Sequence, residues 1–444
     1  MISRRSMIRG ASASLAVPML GKAAMAQDLS GPAQFASPSR TFPFTPDVYR
    51  ERRARLMEKL GGGIAVLYGA STISDIGVDP MTSQDDDFLY LTGIADEAGA
   101  AILLTPGEAR GPREHLFLAK RDILEERWDG ARLPDGSEIE RRTGFESVYR
   151  SYSLPGLATG LALRNPELHF LGPIVSPNAP VPQALELYGG ITARVPGTRI
   201  VNSATLIREM RVRKEPREIA LIRKAIAATE VGLAAAMRSV RPGMSQRELK
   251  AIVENGFRQG GGDGLGFTSN VSNGKATAVL HYSGNDGVIQ DGDMVLCDVG
   301  AHVGGYSADI TRSFPANGRF TDEQRRVYST VLDAQEAAVA TIRAGSYYSA
   351  AQDAAEAVLE AAGHGDDFWH GLGHFIGLYV HDVGDLREPL PENATLTVEP
   401  GIYLPERGFG IRIEDDYLVT RTGTEHLSSG TPNDPDAIEA FMAR

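Results

Sequence analysis

One cysteine stands among 444 residues, Cys297, so no internal disulfide can form. It follows the apolar run Met294-Val295-Leu296, which reads as a small buried hydrophobe in a strand rather than as a reactive thiol. No apolar run reaches the roughly eighteen residues that a membrane-spanning helix needs. Positive charge is also in deficit. The formal net charge of −12 excludes a general attraction for nucleic acid or anionic membranes. Tandem repeats and low-complexity tracts are absent. What remains is an apolar fraction of 42%, ordinary for a soluble globular protein. The chain is too long for one typical domain, so two are expected.

The first 26 residues read as an export signal. Ser3-Arg4-Arg5-Ser6-Met7-Ile8-Arg9 makes a basic start, Gly10 to Leu20 a mildly apolar middle, and Ala24-Met25-Ala26 a small-x-small end. The paired arginines resemble the twin-arginine type, although Met7 stands where that type usually has phenylalanine. The expectation is a periplasmic protein. Lack of disulfides in an oxidising destination is no obstacle for a chain large enough to bury a real core.

Residues 27–202 are expected to form an α/β domain. Pro46 opens a helix, with Thr45 as its cap, and the runs Ile64–Tyr68, Ala101–Leu104 and Leu116–Leu118 read as buried strands. Arg208, Arg211, Arg213 and Lys214 read as a solvated connection into the next helix, which begins Glu215-Pro216 and places Ile219, Ile222 and Ile226 on one face. The boundary is expected near Val201–Ser203. Residues 203–444 mix long helices with hairpins. Thr321 to Gln324 is a capping box before an apolar stripe through Val327 and Val331, and Asp434-Pro435 opens a last helix.

The chemistry-bearing residues sit on two hairpins. Met294 to Gly300 reads as a buried strand, His302 to Gly305 as a turn and Tyr306 to Thr311 as the return. With the turn centred between Val303 and Gly304, Asp298 falls opposite Asp309, their Cβ atoms about 5 Å apart. The second hairpin runs from Leu396 to Pro400 and returns from Gly410 to Glu414. With its turn centred between Glu406 and Arg407, Glu399 falls opposite Glu414. Like charges paired on apolar strands are destabilising unless something neutralises them, and two divalent cations would. A further ligand is expected from His370-Gly371-Leu372-Gly373-His374, whose glycines argue against a helical zinc pair and for close backbone approach. Oxygen-rich ligation with one imidazole favours Mn²⁺, with Co²⁺, Zn²⁺ or Fe²⁺ as alternatives.

The segments His281–Ser283, Gly292–Gly300, Asp309–Phe314, His370–Asp382, Thr397–Tyr403 and Gly410–Asp416 resemble the proline-specific branch of the pita-bread metallopeptidases, which includes aminopeptidase P and prolidase. Asp87 to Gly93 resembles the amino-terminal domain of that branch. The resemblance implies an amino-terminal α/β domain followed by a pita-bread (creatinase/aminopeptidase) catalytic domain. It implies Asp298, Asp309, His374, Glu399 and Glu414 as ligands of two divalent ions, with Asp309 and Glu414 bridging. A hydroxide between the ions would attack the scissile carbonyl. Glu399 would carry a proton to the leaving nitrogen, and His281 and His381 would polarise the substrate. His370 and Arg412 would contact substrate or brace the ligands. The implied partners are peptides beginning Xaa-Pro and further copies of the chain, as a homodimer or homotetramer. Leu89 departs from the aromatic residue frequent in close relatives, which puts one substrate contact in doubt. Alternatives are a prolidase, a metal-free enzyme like creatinase and a non-catalytic peptide-binding domain. The full ligand set argues against the last two.

Overall fold

Proline's fixed φ starts helix α1 (Pro46–Leu60), and Gly61 ends it with a left-handed φ of 70°. Thr45 occupies the cap position, but its side chain makes no capping bond. This is the first element in a computed structural model that describes residues 43–71, 84–172 and 175–443. The export-signal reading of residues 1–26 lies outside them.

The expected strands form as β1 (Ile64–Tyr68), β2 (Ala101–Leu104) and β3 (Glu114–Leu118). Between β1 and β2 comes α2 (Asp86–Thr92), capped by Asp85, whose carboxylate accepts the Phe88 N–H. Helix α3 (Ile123–Asp129) belongs to a separate small unit, residues 121–134, in which Arg121 pairs with Glu126 at 2.6 Å. Then follow α4 (Ser137–Thr143), β4 (Ser147–Arg150), α5 (Leu154–Ala162), β5 (Glu167–Phe170), α6 (Gln183–Thr192) and β6 (Arg199–Asn202). The six strands make one mixed sheet, ordered β4-β3-β2-β1-β5-β6. Val66, Leu103, Phe117, Leu168 and Phe170 fill its core. A buried tyrosine needs a partner for its hydroxyl. Tyr188 accepts the Val66 N–H at 2.7 Å and donates to the His169 carbonyl at 2.9 Å. The expected boundary near Val201–Ser203 falls at the end of β6.

The basic stretch that follows differs from expectation. Helix α7 (Leu206–Arg211) leaves Arg208 and Arg213 exposed, but Arg211 and Lys214 are buried. Three carboxylates reach them, Asp86 and Asp87 from α2 and Asp382 from a distant loop. Sequence proximity of four cations suggested a solvated run. Those distant acids were not visible in it. Helix α8 (Pro216–Ser239) then opens on a capping box of Glu215 and Glu218.

After α9 (Gln246–Gln259) and β7 (Gly264–Leu265), a three-stranded antiparallel sheet forms from β8 (Asn270–Asn273), β9 (Met294–Val299) and β12 (Ile310–Pro315), with β9 central. Short β10 (Ala301–Val303) and β11 (Tyr306–Ser307) complete the turn of the hairpin. Cys297 is fully buried in β9, as expected. Helices α10 (Asp322–Val339), with the expected Thr321–Gln324 capping box, and α11 (Tyr348–Ala361) lead to the second hairpin. It comprises β13 (Thr395–Val398), β14 (Gly401–Leu404), β15 (Phe409–Arg412) and β16 (Asp415–Val419). Strand β17 (Thr424–His426) adds an edge to β16, and Asp434 caps α12 (Pro435–Met442).

Candidate metal centre

The first hairpin corrects the expected register. Thr311, not Asp309, is the partner of Asp298, and His302 pairs with Ser307. The turn therefore centres between Gly304 and Gly305, both at positive φ, 58° and 87°. Two consecutive residues at positive φ are what a two-residue turn of type I′ requires, and glycine supplies them freely. A shift of two residues preserves the face, because side chains alternate with period two. Asp298 and Asp309 thus remain on one face as diagonal neighbours. Asp309 itself lies between β11 and β12, off the ladder, and its N–H donates to the Asp416 carboxylate at 3.1 Å.

The second hairpin keeps the expected register through its whole length. Thr395 to Val398 pair with Asp415 to Leu418, and Gly401 to Leu404 with Phe409 to Arg412. Glu399 and Glu414 sit in the gap between these two ladders, where the rungs are interrupted. Both carboxylates project from broken ladder.

His374 comes from the glycine loop, which is not helical. The loop is laid against β13: Thr397 N–H donates to the His374 carbonyl at 2.9 Å, and Glu399 N–H to the Leu372 carbonyl at 2.8 Å. A Cβ at Gly373 would stand 2.4 Å from the Thr397 carbonyl oxygen, so the close approach this glycine permits is to a strand. His374 Nδ1 donates to the Phe375 carbonyl at 3.1 Å, which turns Nε2 toward the carboxylates. Nε2 faces Asp309 at 3.5 Å and Glu399 at 3.6 Å. Ligand atoms of Asp309, His374 and Glu414 all lie within 4.8 Å of one another.

The donor set fits divalent metal. Asp309 Oδ1 and Glu414 Oε1 are buried and have no hydrogen-bond partner within the protein. A buried carboxylate oxygen left in that state is costly. Burial, then the Glu414 and Asp298 charges, pushes Asp309 well above the usual carboxylate range. Burial and Glu414 do the same to Glu399. Burial and the Asp298 charge push Glu414 up to about 7. Cations at these oxygens would relieve both the repulsion and the missing partners. The other Glu414 oxygen accepts from Thr311 Oγ1 at 2.7 Å, which fixes the carboxylate plane.

Arg412 is 3% exposed, and its three guanidinium nitrogens donate to protein groups. They reach Asp298 at 2.6 Å, the Tyr403 hydroxyl at 3.0 Å and Thr311 Oγ1 at 3.3 Å. Tyr403 passes the relay on to His370 Nε2 at 2.6 Å, while His370 Nδ1 donates to the Gly371 carbonyl. Burial, with help from Arg412, lowers His370 to about 4, so its ring is neutral at neutral pH. His381 packs edge-on to His374 with centroids 4.2 Å apart. Its own ionisation is lowered by burial and by His374 and His281. His281 lies exposed on the turn after the 3-10 segment Gly274–Ala278.

Thus Asp309, His374, Glu399 and Glu414 cluster, Asp298 adjoins them through Arg412, His381 packs against His374 and His370 joins through Tyr403. Sequence reasoning missed Thr311, Tyr403 and Asp416 as bracing groups. All three stand inside or beside the quoted motifs, but hydrogen bonding across strands leaves no mark on a single sequence. Leu89 is buried in α2.

Oxygen donors and one imidazole, presented at breaks in paired hairpins behind a mixed-sheet domain, define a metal-dependent hydrolase. Metallopeptidase family M24 matches residues 220–421, and the aminopeptidase P amino-terminal domain matches residues 49–168. The Xaa-Pro aminopeptidase of Escherichia coli is 33% identical over 435 residues, covering 89% of this chain and 97% of that relative. The structure of aminopeptidase PepP from Pseudomonas aeruginosa superposes with a TM-score of 0.82 at 32% identity, covering 91% of this chain and 99% of that one. Zinc-substituted E. coli aminopeptidase P in complex with product gives 0.80 at 29% identity, covering 90% and 98%. The chain belongs to the aminopeptidase P branch of metallopeptidase family M24, with a pita-bread catalytic domain.

Proposed function

We propose that this protein releases the first residue from peptides with proline in second position, with Asp298, Asp309, His374, Glu399 and Glu414 holding two Mn²⁺ ions. The orphaned buried oxygens of Asp309 and Glu414, with His374 Nε2 beside them, carry the reading. The oxygen-rich donor set supports manganese over softer choices. Divalent ions, when bound, polarise the carbonyl and make water nucleophilic at neutral pH.

The residues do the rest. Arg412 and Thr311 hold Asp298 and Glu414 in fixed planes. Glu399, 17% exposed at its side chain, is open enough to move a proton to the departing proline nitrogen. His381, packed against His374, would offer a ring nitrogen to the substrate, while His370, whose two ring nitrogens are engaged by Tyr403 and the Gly371 carbonyl, braces the loop. The Xaa-Pro bond has no N–H, so a site that makes no use of that donor accepts it.

Hydrolysis of Arg-Pro-Pro and Gly-Pro by the Mn²⁺-loaded protein tests this. Free arginine from the tripeptide is the expected result. Cleavage of the dipeptide alone would make the enzyme a prolidase, and silence on both would leave a peptide-binding domain.

The paired arginines and small-x-small end of residues 1–26 support export in the folded state to the periplasm. Replacing both, Arg4→Lys with Arg5→Lys, should retain the protein in the cytoplasm. Unchanged periplasmic recovery on fractionation would count against the twin-arginine route.

A further inference from the structure

Two buried cations meet three carboxylates at the edge of the metal centre, outside the ligand set. Arg211 and Lys214 lie between the two matched regions, which end at 168 and begin at 220. The Arg211 side chain, 4% exposed, donates to Asp87 at 2.7 Å and Asp86 at 3.2 Å, both on α2, and to Asp382. Lys214 donates to the other Asp382 oxygen at 2.9 Å and to the Arg211 carbonyl at 2.9 Å. Burial opposes the charge on Asp382, but Lys214 and Arg211 hold its carboxyl below the usual range.

A buried ion cluster is a poor source of stability, because desolvation offsets most of the attraction. Its better-attested use is to fix a register. What this cluster fixes is a loop. Asp382 N–H donates to the Phe375 carbonyl at 2.8 Å, closing residues 375–382 with His374 beside one end and His381 beside the other. The loop is shaped around the charges: a Cβ at Gly377 would stand 2.0 Å from the Asp382 carboxylate and 2.8 Å from Lys214 Cε. Ser307 N–H secures the same glycine through its carbonyl at 2.8 Å.

We propose that Arg211 and Lys214 are positioning residues that orient His381 through Asp382 and tie that orientation to α2 through Asp86 and Asp87. The inference rests on His381 contacting substrate, as set out under the function above. Neither cation touches a metal ligand, so their removal should disturb catalysis without emptying the centre.

The test is Arg211→Ala in the full chain, loaded with Mn²⁺ and assayed on Arg-Pro-Pro, with metal content measured per chain. Kcat should fall roughly 10–100-fold, the range for groups that orient a reacting side chain, with KM and metal content retained. Millimolar guanidinium, filling the vacated space, should restore much of the rate, and methylammonium should not. A merely structural residue would lower the melting point and leave the rate per metal-loaded chain unchanged, which would overturn the proposal. Metal lost in step with activity would also overturn it, by placing the effect on His374. Should Arg211→Ala fail to fold, Asp87→Asn decides: a lower kcat with metal retained supports the link to α2, and an unchanged kcat refutes it. If the unaltered protein is silent on Arg-Pro-Pro, the function falls and this inference with it. An active parent with an unaffected variant sinks the inference alone.

Discussion

Asp309→Asn should lower kcat on Arg-Pro-Pro by about three orders of magnitude. An amide cannot supply the negative charge that a cation needs at a site where one Asp309 oxygen has no other partner. Lewis-acid catalysis contributes several kcal/mol, and about 1.36 kcal/mol is a factor of ten in rate. A variant retaining more than a tenth of the activity would remove Asp309 from the centre. In the metal-free protein the same change should act in the opposite direction. Burial and Asp298 raise Glu414 to about 7 in the folded state, against 4.5 for the ordinary carboxyl. The folded chain therefore holds more protons than the unfolded chain between those values. Its stability is full below the unfolded value and is lost as pH rises through the folded one, by about 3 kcal/mol for this group. Asp309 is displaced the same way, chiefly by burial and then by Glu414. Urea melts of metal-free protein at mildly acid and mildly alkaline pH should show this fall, and Asp309→Asn should flatten it. A parent protein that gains stability with pH over that window would contradict the electrostatic account.

Arg312→Met should cost about 3–5 kcal/mol of stability, the price of stranding a buried carboxylate without its partner. Arg312 is fully buried and pairs with Asp415 at 2.7 Å. It also donates to the carbonyls of Glu414 at 2.8 Å and Thr311 at 3.0 Å, so it staples the strands that carry the candidate donors. Burial would raise the Asp415 carboxyl, but Arg312 and His426 hold it at about 2, so its charge is present at neutral pH. Chemical denaturation should show a lower midpoint with little change in slope. The double change with Asp415→Leu should recover much of the loss, because no unpaired charge then remains. A single variant within 1 kcal/mol of the parent, on the order of an ordinary surface change, would refute the staple.

The clustering of acids on the two hairpins was legible because like charges on apolar strands have few innocent explanations. The second hairpin was legible in register as well, since its turn sits symmetrically over Pro405 to Gly408. The first was read two residues out of register. Gly304-Gly305 is a stronger turn signal than its neighbours, and centring on it would have given Asp298 its true partner, Thr311. The face survived the slip because two is the period of a strand. The reading of Arg211 and Lys214 as solvated failed for a different reason. A run of cations is usually wet, and only tertiary folding brings Asp86, Asp87 and Asp382 to these two. Tyr403 and Thr311 were passed over because a hydroxyl that bridges two side chains has no sequence period.

The clustered candidate donors span residues 309 to 414 and come from both hairpins and the loop between them. Contacts between residues so far apart in the chain form late and slowly, since loop closure must precede them. A nascent chain therefore offers a metal ion no more than neighbouring pairs of donors, and binding cannot template the fold. A metal held by these donors would act instead as a latch on strands already docked, and the compartment in which folding finishes would then also choose the metal.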